Sequence, residues 1–559
     1  MTNAVTKRSG ISFTLPELVY LIYFAVMFGA RAVGLYEGGL IYNLCLVAGL
    51  ILFGVKVLVS EHTVFEYILI ATLIFLSLLI YKNTGEKGIL LYFSMMLGMK
   101  SVNTKRVMRL GLVILGFSFF ILYVLSVTGV INELNHINKR SGFGYILRHS
   151  LGYPYPNTTH TTLLILIILF FYLYEYKTVA NLITASIFAM LLNILIFIYT
   201  ISFTGVISVT LYLLLNIYFC LRTKKIENKG ACVQSDVSIV SNRSKVEDIL
   251  ITLCFPVTVV FSILGPVLAK GDAFNFLNKL LHKRYEYALY YLQNEKITLF
   301  GSRFAPAPTN WYMIDNSYLY LFLQTGVVVF AVVCALYLAW ILFLIKESKV
   351  RELGIMITFC IIGMSDPFMF NLSYKNITFL MLGAFIYSEC EKISLSLPSF
   401  LSRKCRLIKP KENEFSFGIN IYDAISGCCC FLVNALKKHA IIYGLLFVIL
   451  TFAGAVFTTH TTKVPQILYI DEKTADPYTS EKREVFLSEK DVEDIIAAGD
   501  IIEDYQGEEA PMYFFKKKAP LAEYYRDALS NGLIIGIFLT LISALIPYAL
   551  QNKRKKEKV

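Results

Sequence analysis

Long apolar runs separated by short polar segments make up most of the chain. A helix that crosses the hydrocarbon core of a bilayer needs about 20 apolar residues, and about fourteen runs approach that length. The pattern predicts an all-α polytopic membrane protein with about 14 transmembrane helices. The runs cover approximately residues 17–34, 40–59, 65–81, 88–100, 108–129, 161–176, 179–199, 205–221, 249–269, 317–345, 353–366, 376–389, 440–459 and 531–550.

Composition excludes an ordinary soluble protein. Of the 559 residues, 56% are hydrophobic and only 16% are charged, which is more apolar surface than a water-exposed fold can bury. The net charge of +12 does not indicate nucleic-acid binding, because Lys and Arg gather in short loops beside the apolar runs. That distribution is typical of the cytoplasmic loops of membrane proteins.

The basic loops predict the topology. A positively charged start without a cleavable signal pattern predicts a cytoplasmic N-terminus, and an even number of spans brings the C-terminus back inside. We therefore expect a multi-pass protein of the bacterial cytoplasmic membrane with both termini in the cytoplasm. The external loops are then residues 130–160, 271–316, 366–375 and 460–530.

Three regions follow along the chain. Residues 1–390 form a polytopic membrane domain of about 12 spans, 391–439 a basic cytoplasmic linker, and 440–559 a membrane hairpin. The acidic external segment 460–530 of this hairpin reads as a small α/β domain. Its elements are a strand at Pro465–Ile470, a helix from the Ser488-x-x-Asp491 capping pair to about Ala498, and a strand at Met512–Phe515.

The first external loop, 130–160, carries cations and histidines near glycine- and proline-shaped backbone. Arginine holds phosphate oxygens through a planar fork of donors, so these arginines are candidates for phosphate contact. Snorkelling to lipid headgroups is the alternative. The loop's candidates are the catalytic residue His149 and the substrate-binding residues Arg140, Arg148, Asn157 and His160.

The second external loop, 271–316, is too long for a turn and rich in basic and aromatic residues. It opens with an amphipathic helix over Asp272–Tyr291, which we expect at the membrane interface. Asp315 has two interpretations, a carboxylate that deprotonates a sugar hydroxyl or a neighbour of a helix cap. The candidates are the catalytic residues Asp315 and Arg284, and the substrate-binding residues Tyr291, Arg303, Trp311 and Asn316.

Several short motifs, in this order and topology, resemble the bacterial O-antigen and capsule polymerase family (Wzy-type), which is related to O-antigen ligases. The resemblance covers about residues 10–390. It rests on Leu151-Gly152-Tyr153-Pro154-Tyr155-Pro156-Asn157, Phe203-Thr204-Gly205, Arg284, Leu299-Phe300-Gly301, Asp315-Asn316-Ser317-Tyr318-Leu319 and Gln324-Thr325-Gly326.

The resemblance implies a GT-C-like polymerase core and a metal-independent glycosyltransferase without a cofactor. Such an enzyme moves a glycan from undecaprenyl pyrophosphate to the terminal sugar of another carrier-linked repeat unit, at the outer face of the membrane. The family's external arginines act at the pyrophosphate, a role that passes by position to Arg284 and less directly to Arg140, Arg148 and Arg303. Cations that stabilise the leaving group need no metal.

Two departures from the family pattern bear on function. Ligases of the family have His where this chain has Asp315, which favours a polymerase over a ligase. Many members carry an arginine after the motif that corresponds to Thr204-Gly205, where this chain has Val206 and Ile207. An O-antigen-type ligase and a transporter of lipid-linked oligosaccharide stay as alternatives.

The C-terminal hairpin is similar to a reduced polysaccharide co-polymerase (Wzz-type chain-length regulator). The similarity rests on Lys437-Lys438-His439, Val464–Ile470, Ala519-Pro520-Leu521-Ala522 and the glycine-containing span with Gly532 and Gly536. It implies regulation of chain length and contact with itself or a co-polymerase, besides the lipid-linked oligosaccharide and membrane lipid as partners. A generic membrane hairpin with an acidic cap is the alternative.

Overall fold

The computed structural model describes most of the chain. The described residues are 12–35, 39–131, 136–140, 144–174, 176, 178–227, 243–305, 307, 313–408, 415–416, 439–461, 467–470, 484–487, 497, 513–514 and 518–556.

Eleven helices among the described residues are long and apolar enough to cross a membrane, which confirms a multi-pass membrane protein built from helices. The short runs near 88, 353 and 376 form shorter helices, and the total of about 14 spans stays a prediction. The first seventeen helices are α1 Leu15–Ala32, α2 Leu40–Val59, α3 Val64–Thr84, α4 Gly88–Leu97, α5 Thr104–Val127, α6 Pro156–Leu173, α7 Val179–Thr200, α8 Phe203–Glu227, α9 Lys245–Ile263, α10 Gly265–Leu268, α11 Gly271–Leu280, α12 Arg284–Asn294, α13 Ser317–Gln324, α14 Val327–Lys346, α15 Val350–Ile362, α16 Thr378–Ser394 and α17 Ser399–Ser402.

The core lies around α4, all of whose ten residues are buried. Because α4 is surrounded by protein, it does not need the length of a lipid-exposed span. Its approach to α16 depends on Gly383, where a Cβ would lie 2.3 Å from the carbonyl oxygen of Met96. Helices such as α2 and α7 instead expose apolar side chains outward, as lipid-facing helices do.

Two predicted helices are broken. The predicted helix Asp272–Tyr291 is two helices, α11 and α12, because His282 and Lys283 adopt left-handed backbone. The predicted run 317–345 is likewise α13 and α14, interrupted at Gly326, whose φ of 84° and ψ of 166° end a helix.

Short strand pairs tie loops together. Ser12–Phe13 (β1) pairs with Phe415–Ser416 (β6), and His62–Thr63 (β2) pairs with Lys404–Cys405 (β5). His136–Arg140 (β3) and Gly144–Arg148 (β4) form an antiparallel hairpin in the first predicted external loop. The first two pairs join the linker to the segment before α1 and to the residues before α3.

The last two helices, Ala440–Thr461 and Lys518–Lys556, pack against each other as the C-terminal hairpin. Their close approach uses Gly454, where a Cβ would lie 3.0 Å from the α-carbon of Gly532. Between them lie three strands, β7 Ile467–Ile470, β8 Glu484–Leu487 and β9 Tyr513–Phe514. They form an antiparallel sheet with the order β8-β7-β9.

Two of these strands overlap the predicted ones, whereas β8 lies where no strand was predicted. Nearly all of the predicted helix from Ser488 to Ala498 lies outside the described residues. The α/β domain as a whole therefore stays a prediction.

Buried charges gather at one end of the helical core, where α2, α3, α5 and α16 begin or end. Glu66 binds both Lys100, at 2.6 Å, and His62, at 3.1 Å, while Lys56 donates to the carbonyl of Lys100 at 2.7 Å. The charge pattern assigns this end to the cytoplasm. A second group of polar residues lies among the helix ends that the same pattern places outside.

Candidate functional site

A cleft of about 290 Å³ opens between four segments that the charge pattern assigns to one side of the membrane. The segments are the end of α1, the start of α6, the residues before α13, and the loop between α15 and α16. Their convergence concentrates polar groups that are far apart in sequence. The lining residues are Arg31, Gly34, Leu35, Tyr153, Pro154, Tyr155, Asn157, Thr158, Thr161, Met313, Asp315, Asp366, Pro367, Phe368, Asn371, Ser373 and Lys375.

Arg284 and Asp315 form an ion pair at the rim of this cleft. Nη2 of Arg284 lies 3.4 Å from Oδ2 of Asp315, and Nη1 donates to the carbonyl of Leu281 at 3.2 Å. The Nε atom of Arg284 is buried without a hydrogen-bond partner among the described residues. Asp315 lines the cleft, and Arg284 stands directly behind it with donor capacity to spare.

A second carboxylate, Asp366, lies in the same cleft. Its Oδ1 accepts a hydrogen bond of 3.0 Å from the backbone of Phe368, which caps the 3-10 turn Pro367–Met369. Its backbone carbonyl accepts from Ser317 Oγ at 2.5 Å, and the Ser317 amide donates to the Gly363 carbonyl at 2.8 Å. These bonds fasten the loop that carries Asp366 to the first turn of α13, which follows Asp315.

Two basic residues also line the cleft. Lys375 is buried, and its Nζ donates to Thr162 Oγ1 at 2.5 Å and to the Thr158 carbonyl at 3.2 Å. Arg31, at the end of α1, donates to the Leu35 carbonyl at 2.8 Å. The cleft therefore presents both signs of charge within one small volume.

Burial dominates the titration of these loop residues. It raises the pKa of Asp366 to about 6, with the negative charge of Asp315 adding to the rise. Burial also raises the pKa of Asp315, which the positive charge of Arg284 opposes. Burial and the charge of Arg31 together lower the pKa of Lys375 to about 7, and Asp366 opposes that change. Two carboxyl groups and an amine thus titrate nearer to neutrality than their ordinary values.

Left-handed backbone precedes two of these functional groups. Lys283 has φ 66° immediately before Arg284, and Tyr374 has φ 55° immediately before Lys375. Non-glycine residues in this region are strained and are held there only by surrounding structure. Tyr374 is held by burial and by a hydrogen bond of 2.8 Å from its hydroxyl to that of Tyr23.

The candidates of the first predicted external loop support the cleft from behind. Arg148 is buried; its Nε donates to the Thr200 carbonyl at 2.8 Å and its Nη2 to Asn157 Oδ1 at 2.7 Å. Asn157 lines the cleft, whereas Arg148 and His149 do not. The backbone amide of His149 donates to the Tyr199 carbonyl at 2.9 Å, and its ring lies edge-on to the Tyr199 ring.

His160 is buried inside the helical core rather than in the cleft. Its Nε2 lies 2.7 Å from Asn193 Oδ1 and its Nδ1 lies 3.1 Å from Thr200 Oγ1. Gly205 packs on the ring so closely that a Cβ there would lie 2.3 Å from Cγ of His160. His160 therefore joins α6, α7 and α8.

The remaining candidates are Asn316, Tyr291, Arg303, Arg140 and Trp311, and none of the described side chains among them lines the cleft. Asn316 caps α13, accepting from the amides of Tyr318 at 3.0 Å and Leu319 at 3.1 Å. Tyr291 is buried against the ring of Phe304, with ring centroids 5.4 Å apart. Arg303 is exposed and does not line the cleft, the backbone alone is described for Arg140, and Trp311 lies outside the described residues.

Two motifs quoted for the family resemblance meet in space. A Cβ on Gly326 would lie 2.4 Å from the backbone nitrogen of Gly301, and one on Gly301 would lie 2.2 Å from the carbonyl oxygen of Gln324. The amide of Val327 also donates to the Thr298 carbonyl at 3.0 Å. This contact closes the long loop onto the start of α14.

Sequence reasoning missed Arg31, Asp366 and Lys375. Asp366 and Lys375 bound the short external loop 366–375, where charged residues next to apolar runs were an available signal. Arg31 lies at the end of an apolar run and resembles any snorkelling cation in the sequence. Comparisons of the chain with protein-family models, with curated proteins and with solved structures found no match.

Proposed function

We propose that the protein is a glycosyltransferase that polymerises lipid-linked oligosaccharide repeat units at the outer face of the bacterial cytoplasmic membrane. It transfers a glycan from undecaprenyl pyrophosphate to the terminal sugar of another carrier-linked unit. The observation that carries the proposal is the cleft itself, where Asp315 paired with Arg284 opens onto Asp366, Arg31 and Lys375.

The cations suit the leaving group of this reaction. Arg31 and Lys375 line the cleft, so a pyrophosphate entering from the membrane surface meets basic side chains from two segments. Arg284 adds a third positive charge from behind Asp315. Fixed cations that stabilise the departing pyrophosphate lower the barrier without a metal. Arg148 contributes by positioning Asn157, not by touching substrate.

The acceptor side has the groups that a sugar needs. The rings of Tyr153 and Tyr155 line the cleft and offer flat faces for a pyranose, while Asn157 and Asn371 offer amide hydrogen bonds. A volume of about 290 Å³ holds only a small headgroup, so the remainder of each glycan extends outward. That arrangement fits substrates of repeating and growing length.

The neighbouring short helices suit a substrate delivered by lipid. In α11 the apolar side chains of Phe276 and Leu280 are 66% and 62% exposed, although the helix lies next to polar loops. Such a helix fits the membrane interface, where the headgroup of a polyprenyl carrier lies. The cleft-lining charges also lie at helix ends, whereas transporters typically carry theirs midway along spans.

Extension of purified lipid-linked units tests the proposal. The full chain in nanodiscs is incubated with undecaprenyl-pyrophosphate oligosaccharides extracted from its native host, with a chelator present, and products are resolved by gel and mass spectrometry. We expect a ladder of products that Arg31→Ala and Arg284→Ala reduce by about 10²-fold or more. Lys279→Ala, an exposed cation on α11, is the control and retains the ladder. Unextended units from the wild-type chain, or a strict need for divalent metal, would overturn the proposal.

A further inference from the structure

The two carboxylates of the cleft are not equivalent. Asp315 is bound to a cation, since Arg284 lies 3.4 Å away, whereas Asp366 makes no ion pair within the part of the chain that the structure describes. One oxygen of Asp366 accepts from the Phe368 amide, and no hydrogen bond to the other is found among the described residues. The second oxygen is therefore available to a substrate hydroxyl.

The backbone of Asp366 is held as firmly as a reacting group requires. Its carbonyl accepts from Ser317 Oγ at 2.5 Å, the amide of Met369 donates to the same Oγ at 3.3 Å, and Asn316 Nδ2 donates to the Met364 carbonyl at 3.3 Å. These bonds join the loop after α15 to the first turn of α13. A base whose position is fixed before substrate arrives avoids the cost of ordering it.

We infer that Asp366 is the general base of the transfer reaction and that Asp315 positions and tunes it. This inference rests on the proposed function. The Asp366 carboxylate takes the proton of the acceptor hydroxyl as that oxygen bonds to the anomeric carbon of the donor glycan. The bond from this carbon to the pyrophosphate oxygen breaks, and its electron pair leaves with undecaprenyl pyrophosphate, next to Arg31 and Lys375.

The surroundings of Asp366 adapt it to this role. The charges of Asp315 and Arg284, from the α12–α13 segment, and of Lys375, from its own loop, act on Asp366 directly. Arg31 of α1 acts on the charge of Lys375. Burial and the charge of Asp315 raise its pKa to about 6, so near neutral pH it is ionised and still basic enough to accept a proton. Asp315 is the less suitable base because its carboxylate is already paired with Arg284, whose charge opposes the rise that burial causes in the Asp315 pKa.

Substitution of the two aspartates should change the pH profile of extension in different ways. With wild-type enzyme, the rate of extension should rise with pH through about 6, as Asp366 loses its proton, and fall above about 7, as Lys375 loses its charge. Asp366→Asn should lower the rate by about 10²–10⁴-fold, and Asp366→Glu should restore part of it. Asp315→Asn should keep the rise and move it to lower pH, because the negative charge that raises the pKa of Asp366 is gone. Asp272→Asn, an exposed carboxylate on α11, should leave the profile unchanged.

Thermal unfolding gives a readout that does not depend on turnover. Between the ordinary carboxyl pKa and about 6, Asp366 holds its proton in the folded state and releases it in the unfolded chain. The contribution of Asp366 to the free energy of unfolding therefore falls as pH rises through this range. Above pH 7, Asp366→Asn should therefore unfold at a higher temperature than wild type, and Asp272→Asn should not.

The outcomes distinguish the two proposals. If the wild type extends glycans while Asp366→Asn keeps its full rate, or if Asp315→Asn abolishes the rate and Asp366→Asn merely moves the profile, Asp366 is not the base. If the wild type extends nothing at any pH, the proposed function itself fails. A gain in the thermal stability of Asp366→Asn in that case would still show that the ionised Asp366 carboxylate destabilises the folded state.

Discussion

The hydroxyl of Tyr199, at the end of α7, hydrogen-bonds to Ser530 of the C-terminal hairpin and donates to the Arg526 carbonyl at 2.9 Å. The next residue, Thr200, accepts from Arg148, which in turn holds Asn157 in the cleft wall. The hairpin thus contacts Tyr199, the residue next to Thr200, which binds Arg148 behind the cleft wall.

This contact predicts that the hairpin influences product length through Tyr199. Tyr199→Phe removes the hydroxyl that joins the two units and leaves the ring against His149. We expect an altered distribution of glycan lengths with linkage formation intact, measured by gel analysis of polymer from cells. Tyr525→Phe, whose ring is 63% exposed, is the matched control. An unchanged distribution from Tyr199→Phe would contradict the coupling.

Removal of residues 440–559 tests the hairpin as a whole. If it regulates the polymerase domain, the shortened chain should still form glycosidic linkages while the lengths of its products change. Complete loss of linkage formation would instead make the hairpin essential to the site. Folding of the shortened chain is checked by size-exclusion chromatography before its activity is compared.

The pair Arg284 and Asp315 should behave as a unit. Arg284→Ala and Asp315→Asn each disturb the same rim, so the rate loss of the double variant should be smaller than the product of the single losses. Arg284→Lys should not restore the wild-type rate, because an ammonium lacks the planar fork that binds one carboxylate and a phosphate together. Multiplicative losses in initial rates of extension would show that the two residues act independently.

Lys375 should make stability depend on pH. Its pKa is about 7 in the folded protein and near the ordinary lysine value in the unfolded chain, so between these values the unfolded chain holds more protons. Stability should therefore rise with pH above about 7 in the wild type. Lys375→Met should abolish this rise and unfold about 2 °C or more above the wild type at pH 7. Thermal unfolding at several pH values measures it, with Lys279→Met as the control.

The contact between Gly301 and Gly326 should tolerate no side chain. Gly326→Ala places a methyl group 2.4 Å from the Gly301 nitrogen, at a φ of 84° that alanine avoids. We expect a loss of at least about 2 kcal/mol, seen as a lower unfolding temperature. Gly54→Ala, in α2 with nothing within 4 Å of the added Cβ, should be neutral or stabilising. Equal unfolding temperatures would contradict the packing.

Apolar runs and basic loops were sufficient to predict where the chain forms long helices, because a bilayer requires continuous apolar length and satisfied backbone. They did not predict the breaks at Lys283 and Gly326, because these depend on single backbone conformations. Nor did they predict that α4 lies wholly inside the protein, since burial of a short helix depends on its neighbours.

The site divides in the same way. The sequence by itself determined that Arg284 and Asp315 lie in one long polar loop, since residue chemistry and span boundaries are local properties. Only the tertiary structure decided that Asp366, Lys375 and Arg31 line the same cleft as Asp315. It also decided that Arg148 and His160 form hydrogen bonds inside the protein. The physical reason is that charge and hydrogen-bonding depend on which helix ends meet, and helix packing brings together segments hundreds of residues apart.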